Sequence, residues 1–195
     1  LIETGTYEYV KNSNIPYTDR MPGYMFPYVV FRYMFSQKLA VLLLISFQII
    51  FSLIASLCLF KLIFIMTKKT YLSFLVLIIF SLFSFLIPWE LWTYPESLSV
   101  SCYIVGLLFT YMSIGGKKIN LIYGGLFFAW MFFLRGFLVG YFLLPILFIA
   151  LSSNSIKNSF NRIITFMIPL IFIQFFWVSR NYYSKGEVIF LQSNI

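Results

Sequence analysis

Histidine is absent from the chain, cysteine occurs twice, and charged residues make up 10% of the 195 positions. Because there is no histidine and both Cys58 and Cys102 lie inside apolar runs, the sequence excludes a His/Cys metal site and argues against a disulfide framework. Soluble domains average about 25% charged residues, so the scarcity of charge excludes a water-soluble globular domain. No short apolar segment with a cleavage site opens the chain, which argues against a secretory signal peptide, and the first residue, Leu1, indicates a truncated N-terminus.

Apolar residues are abundant instead, since 61% of the chain is hydrophobic and 22% is aromatic. An apolar helix crosses the roughly 30 Å of bilayer hydrocarbon with about 20 residues, and six uncharged runs approach this length. The sequence therefore predicts an all-α protein: a polytopic transmembrane helix bundle over residues 39–179, with an N-terminal interfacial segment before it. The candidate spans are Leu39–Phe60, Thr70–Trp89, Ser97–Gly116, Ile119–Leu134, Gly136–Ile156 and Ile163–Ser179.

Arg135 separates the fourth span from the fifth. The alternative is one continuous helix of about 38 residues, which would overshoot a bilayer even with strong tilt. We therefore interpret Arg135–Gly136 as a tight reversal of the chain. The fourth and sixth spans are short, and they can cross the bilayer only if flanking Lys and Arg side chains snorkel to the membrane surface.

Basic residues fall in every second connection between the spans, and the positive-inside rule places those connections in the cytoplasm. They are Lys68 with Lys69, Lys117 with Lys118, and Lys157 with Arg162. Residues 1–38 and 180–195 are then extracytoplasmic. This pattern predicts an integral protein of a bacterial-type cytoplasmic membrane with an external active face. In such a protein the net charge of +8 orients loops and indicates no nucleic-acid partner.

All acidic residues fall on the external side of this topology. They are Glu3, Glu8, Asp19, Glu90, Glu96 and Glu187. Acidic residues contribute little to membrane orientation, so insertion does not explain their one-sided placement. Either the external face performs chemistry or cation binding, or the short cytoplasmic loops have no room for carboxylates.

Residues 1–38 contain six tyrosines and three prolines, and tyrosine prefers the headgroup region, where its ring is half buried and its hydroxyl is wet. Within this segment, Asp19 and Arg20 precede a Pro22–Gly23 turn. Such a turn can hold Arg20 toward a phosphate, which suits its planar fork of donors. The alternative is a solvated Asp19–Arg20 pair, which contributes little.

Further charged residues mark the ends of the predicted spans. Glu96 follows Pro95 at a helix start, where the helix dipole favours negative charge; the functional alternative is a carboxylate that binds a sugar hydroxyl, a metal or a proton. Arg135 is a functional candidate because burying a charge at membrane depth is costly, although it can also snorkel to water. Arg180 and Asn181 emerge together after the last apolar run.

The order of these features resembles membrane glycosyltransferases of the protein O-mannosyltransferase and aminoarabinose transferase type, which share the C-type glycosyltransferase architecture. Leu1–Tyr7 resembles the end of that family's first extracytoplasmic amphipathic helix, and Arg20–Tyr24 resembles its R-x-P-G-Y segment. Glu96 is similar to its outer-face acidic position, and Gly124–Arg135 to its Gly-rich helix ending in Arg. Trp177–Gly186 resembles its W-x-x-R-N-Y-x-x-x-G pattern.

This resemblance implies a polyprenyl-phosphate-linked sugar as the donor and membrane lipid as the surroundings. It also implies inverting transfer to a hydroxyl or phosphate acceptor, with one carboxylate as general base. The residues that would bind the donor phosphate are Arg20, Arg135, Arg180 and Asn181, and those that would line the substrate cavity are Tyr24 and Tyr182.

In that family the general base is an Asp that follows the first transmembrane helix, which here would lie upstream of Leu1. The resemblance therefore implies an internal fragment that is inactive alone. Asp19 is the nearest substitute within the chain, and Glu96 is the second candidate catalytic carboxylate.

Two other functions fit a membrane protein with these charges. In a transporter or flippase segment, Arg135 and the acidic residues would line a substrate path, and repeated halves with interrupted helices are typical of that class. No such repeat is evident in the sequence. A polysaccharide polymerase or ligase would share the lipid-linked substrate but not the R-x-P-G-Y order. The sequence identifies no sugar, acceptor or cofactor.

Overall fold

The computed structural model describes residues 22–82, 91, 94–115, 117–153 and 155–190. These residues form seven α-helices and one 3₁₀ helix, and no strand occurs among them. The predicted all-α class is therefore confirmed. The elements are α1 (Met25–Met34), α2 (Gln37–Thr67), α3 (Thr70–Ser81), α4 (Glu96–Met112), α5 (Ile119–Leu134), the 3₁₀ helix (Gly136–Phe142), α6 (Leu143–Leu151) and α7 (Ile156–Lys185).

Within the described residues, α2 and α7 are the helices long and apolar enough to cross a membrane. They have 31 and 30 residues, whereas about 20 residues suffice for a crossing. The helices α3, α4, α5 and α6 are shorter, with 12, 17, 16 and 9 residues. Helix α1 has 10 residues, lies inside the predicted interfacial segment and packs against α2.

Local signals set the ends of the two long helices. Helix α2 ends where Lys68 adopts a left-handed conformation (φ 57°) and donates its backbone N–H to the carbonyl of Phe64. At the start of α7, the Ser155 hydroxyl accepts the backbone N–H of Asn158 at 3.2 Å, which satisfies one of the unpaired donors of a first helical turn. Helix α7 ends at Gly186, which has φ 74° and forms a left-handed cap common at helix C-termini.

The chain leaves the α-helical conformation at Arg135, which has φ −148° and ψ 99°. Helix α5 ends one residue earlier, where the fourth predicted span ends. The ring of Phe142, the last residue of the 3₁₀ helix, lies 5.3 Å from Phe128 and 6.2 Å from Phe132 of α5. The 3₁₀ helix therefore runs back along α5, in agreement with the reversal expected at Arg135–Gly136.

Helix α5 packs between α4 and α7, and a glycine on each face permits the close approach. A Cβ atom on Gly124 would lie 2.6 Å from the Thr110 hydroxyl oxygen of α4, and a Cβ atom on Gly125 would lie 2.1 Å from the Phe166 carbonyl oxygen of α7. The buried ring of Phe128 lies 5.4 Å from the buried ring of Phe166. The core of the described bundle therefore lies along α5, and this packing fixes the end of α5 relative to the start of α4.

The two ends of the bundle differ in where the carboxylates of the described residues lie. At one end, Arg162 of α7 donates to the carbonyl (3.1 Å) and hydroxyl (3.0 Å) oxygens of Ser113, which follows α4. The lysines of the predicted cytoplasmic loops lie at the helix termini of this end. Glu96 and Glu187, the carboxylates of the described residues, lie at the opposite end, where α4 begins and α7 ends.

Candidate functional site

The turn at residues 22–24 lies against the last turn of α5. The Gly23 N–H donates to the Phe133 carbonyl (3.2 Å), and the Trp130 indole N–H donates to the Gly23 carbonyl (3.3 Å). A Cβ atom on Gly23 would lie 2.4 Å from the Phe133 carbonyl oxygen, a separation that real Cβ contacts do not reach. The Pro-Gly turn predicted from the sequence is therefore held two residues from Arg135.

Arg135 and Glu96 form an ion pair at this end of the bundle, in which Nη2 of Arg135 donates to Oε1 of Glu96. Glu96 begins α4 and Arg135 follows α5, so each charge complements the dipole of its own helix. The side chains of Arg135 and Glu96 are 26% and 28% exposed, which places them at a rim between protein and solvent. Oε2 of Glu96 accepts no hydrogen bond from the described residues.

A buried amide connects the turn to the start of α4. The Tyr24 hydroxyl donates to Oε1 of Gln48 at 3.1 Å, and Nε2 of Gln48 donates to the carbonyl of Tyr94 at 3.1 Å. Gln48 is 0% exposed. Burial, and then the nearby Glu96 carboxylate, raise the pKa of Tyr24 well above its usual value. The phenol therefore stays protonated at neutral pH and keeps its role as a donor.

Arg180 lies at the same end, on the last turns of α7. Its guanidinium carbon lies 5.5 Å from the ring centre of Trp177, a cation–π distance. The Trp177 ring in turn meets the Phe133 ring edge-on at 6.1 Å. Since Phe133 is two residues before Arg135, the Arg135 and Arg180 guanidinium groups both belong to the end of the bundle that holds Glu96.

Asn181 is buried and orients its neighbours. Its Oδ1 accepts from Nη1 of Arg180 at 2.9 Å, and its Nδ2 donates to the carbonyl of Ile189 at 3.3 Å. The segment after Gly186 is thereby tied back along α7, where Gln174 also donates to the carbonyl of Phe190. Because Asn181 is 0% exposed, it orients Arg180 and does not itself reach the solvent at this rim.

The candidate residues named from the sequence fall into three groups. Tyr24, Glu96 and Arg135 lie together, and Arg180 with Asn181 lies at the same end. Tyr182 is 55% exposed, and its ring meets that of Tyr183 at 6.2 Å. Asp19 and Arg20 lie outside the described residues.

Sequence reasoning missed two side chains of this site. Gln48 carries the one side-chain amide of the Leu39–Phe60 run, and a lone amide in an apolar span is a usable signal because lipid offers it no partner. Trp130 gives no such signal, since it is one of many aromatic residues in α5 and only its contact with Gly23 distinguishes it.

No protein-family model matches the sequence, and no curated protein or solved structure matches it either. Within the described residues, no group of three His, Cys, Asp or Glu side chains could hold a metal ion. The chemistry of the site therefore has to be inferred from its own groups: two guanidinium groups, one carboxylate whose Oε2 is buried, and a phenol held neutral. Such a set can bind an oxyanion and orient a hydroxyl beside it.

Proposed function

We propose that the protein is a polytopic membrane glycosyltransferase that moves a sugar from a polyprenyl-phosphate carrier to an acceptor at the external face of the membrane. The half-buried Arg135–Glu96 pair carries the proposal. It joins a phosphate-binding group and a carboxylate at one rim of an apolar bundle, where the resemblance to lipid-dependent glycosyltransferases requires them.

The proposed reaction needs an anion-binding group and a base close together. A carboxylate takes the proton of the acceptor hydroxyl, and the hydroxyl oxygen bonds to the anomeric carbon of the sugar. The bond from that carbon to the phosphate oxygen breaks, and its electron pair stays on the released polyprenyl phosphate. Arg135, with Arg180, neutralises this developing charge, since preorganised groups act most strongly where charge develops. Glu96 and Asp19 are the candidate bases.

A polyprenyl donor also requires that the bundle sit in a bilayer. Helices α2 and α7 have crossing length. The 3₁₀ helix of 7 residues and α6 of 9 residues follow one another, and their rises of about 2.0 and 1.5 Å per residue add to about 27 Å. The terminal lysines and Arg162 mark the cytoplasmic end on this proposal, so the Arg135–Glu96 rim faces outward.

Donor binding tests the first half of the proposal. The chain is placed in neutral-lipid nanodiscs, and binding of a short-chain polyprenyl monophosphate is compared with that of the uncharged polyprenol by native mass spectrometry. We expect Arg135→Ala to weaken phosphate binding about tenfold or more, the loss expected for a hydrogen bond to a charged group. Arg162→Ala is the matched control, because it removes an arginine from the opposite end, and it should leave binding unchanged.

The roles of the two candidate carboxylates are tested by measuring sugar transfer rather than donor binding. Membranes are prepared from the cells that naturally produce the protein. A panel of polyprenyl-phosphate sugars is added to them, and the released polyprenyl phosphate is measured. Glu96→Gln should retain donor binding, because it removes a negative charge beside the phosphate, yet lose transfer if Glu96 is the base. Asp19→Asn tests the other candidate in the same assay.

Two results would contradict the proposal. Equal loss of binding in Arg135→Ala and Arg162→Ala would mean that any basic residue attracts the probe. Movement of intact lipid-linked sugar across the bilayer, with no released polyprenyl phosphate, would favour the transporter class instead.

A further inference from the structure

Gln48 is the fully buried amide of α2, at 0% exposure. It lies about 16 Å along the helix from Gln37, at about 1.5 Å per residue. No charge-based argument assigns it a role. Two hydrogen bonds that it makes with described residues nevertheless reach two different parts of the candidate site.

The first hydrogen bond leads toward Arg135. Oε1 of Gln48 accepts the Tyr24 hydroxyl at 3.1 Å, and the neighbouring Gly23 donates its N–H to the carbonyl of Phe133 at 3.2 Å. Phe133 is in the last turn of α5, two residues before Arg135. Gln48 thus holds the turn that is docked beside the guanidinium.

The second hydrogen bond leads toward Glu96. Nε2 of Gln48 donates to the carbonyl of Tyr94 at 3.1 Å, across 46 residues of sequence. Tyr94 is two residues before Glu96, and the peptide between them contains Pro95, which restricts the backbone. Fixing the Tyr94 carbonyl therefore fixes where α4 begins and where the carboxylate lies.

We propose that Gln48 is a positioning residue that sets the Glu96 carboxylate beside Arg135, whose backbone is held by α5 itself, and so controls the rate of transfer rather than donor affinity. This inference rests on the proposed function for its catalytic part. Its structural part, the coupling of Gln48 to Glu96, holds whatever the protein's activity is.

Packing alone does not require an amide at this position. Methionine has nearly the length of glutamine and fills the same space, but its thioether donates no hydrogen bond and accepts only weakly, so Gln48→Met removes both of these hydrogen bonds while it preserves volume. Helix α7 offers a control for the substitution itself in Gln174, a partly exposed glutamine whose amide donates to the carbonyl of Phe190 and which is not among the residues proposed to bind the donor or take the proton. Gln174→Met makes the same chemical change elsewhere.

A thermal-denaturation cycle tests the coupling without any assay of activity. The proteins are wild type, Gln48→Met, Glu96→Gln and the double variant, in one detergent. If Gln48 positions Glu96, the fall in melting temperature caused by Glu96→Gln should be smaller in the Gln48→Met background. In the corresponding cycle with Gln174→Met, the fall in melting temperature of the double variant should equal the sum of the falls of the two single variants. An additive cycle for Gln48 as well would overturn the inference.

Transfer kinetics test the catalytic part. We expect Gln48→Met to lower kcat about tenfold, as for a lost contact made mainly in the transition state, with KM for the donor nearly unchanged. Gln174→Met should leave both values unchanged. A Gln48→Met protein with wild-type kcat would overturn the positioning role.

The two proposals fail in different ways. If wild-type protein transfers no sugar from any donor in the panel while the thermal cycle shows coupling, the proposed function fails and the positioning of Glu96 by Gln48 stands.

Discussion

Replacing Gly23 by alanine adds one methyl group where the structure has no room for it. The new Cβ atom would lie 2.4 Å from the carbonyl oxygen of Phe133, 2.5 Å from its carbonyl carbon and 2.8 Å from the backbone nitrogen of Leu134. All three are backbone atoms of α5, which cannot rotate away as a side-chain end can. Since non-bonded carbon contacts are usually about 3.5 Å, the turn must move outward by about 1 Å.

That movement breaks both hydrogen bonds that dock the turn. The Gly23 N–H to Phe133 bond and the Trp130 indole to Gly23 bond are already 3.2 and 3.3 Å long, near the upper limit for N–H···O bonds. Each contributes about 0.5–1.5 kcal/mol, and the indole N–H of the partly buried Trp130, left without an acceptor, costs about 1 kcal/mol more, the lower end of the range for a buried group. We expect Gly23→Ala to lower the free energy of unfolding by about 2–4 kcal/mol.

The measurement is equilibrium unfolding in mixed micelles, in which added SDS is titrated and helix content is followed by circular dichroism. Gly140→Ala is the matched control, because a Cβ atom there meets nothing within 4 Å. Its free energy of unfolding should be unchanged or higher by up to about 1 kcal/mol. If both variants unfold at the same SDS fraction as wild type, the docked turn does not contribute to stability and the reasoning is refuted.

Two further substitutions test other contacts. Gly125→Ala would bring a Cβ atom within 2.1 Å of the Phe166 carbonyl oxygen and 3.2 Å of Pro169, so α5 and α7 should separate and the same titration should show a loss of about 1–3 kcal/mol or more. Tyr24→Phe should change the pH dependence of stability. Burial and Glu96 raise the folded-state pKa of Tyr24, so its contribution is complete below the unfolded pKa of about 10 and is lost as pH rises beyond it. The difference in melting temperature between wild type and Tyr24→Phe should shrink above that pH, and a difference independent of pH would show that the phenol does not titrate with unfolding.

The uncharged runs predicted where helices lie better than where they end. Helix α5 has both bounds of its predicted span. Helix α2 continues past the expected Phe60 to Thr67, because one lysine, Lys61, can extend its charge from an apolar helix into water. Helix α7 begins at Ile156 rather than Ile163 because Ser155 caps it. An uncharged run indicates which part of a helix can lie in lipid, whereas hydrogen bonds at the caps determine where the helix begins and ends.

The sequence located the charged groups of the site but not their partners. The pattern offered Glu96 a helix-dipole role or a ligand-binding one and Arg135 a snorkelling or a functional role, and the family resemblance placed both at the external site without pairing them. Their pairing spans 39 positions of sequence and follows from the close packing of α4 against α5 at Gly124. Gln48 joins the site for a related reason, since its partners are a turn and a backbone carbonyl that no periodicity in the sequence brings to α2.

The Arg135–Glu96 pair has a consequence for any anion that binds this rim. Glu96 begins α4, and the backbone N–H groups of a helix N-terminus attract phosphate as well as carboxylate. A phosphate that binds Arg135 therefore competes with Glu96 for the same guanidinium and the same helix dipole. Glu96 is 28% exposed, and its displacement into water would break its ion pair with Arg135 and expose the buried Oε2. Glu96→Gln should then bind a polyprenyl monophosphate more tightly than wild type, and weaker binding would mean that Glu96 holds Arg135 in the binding geometry instead of competing for it.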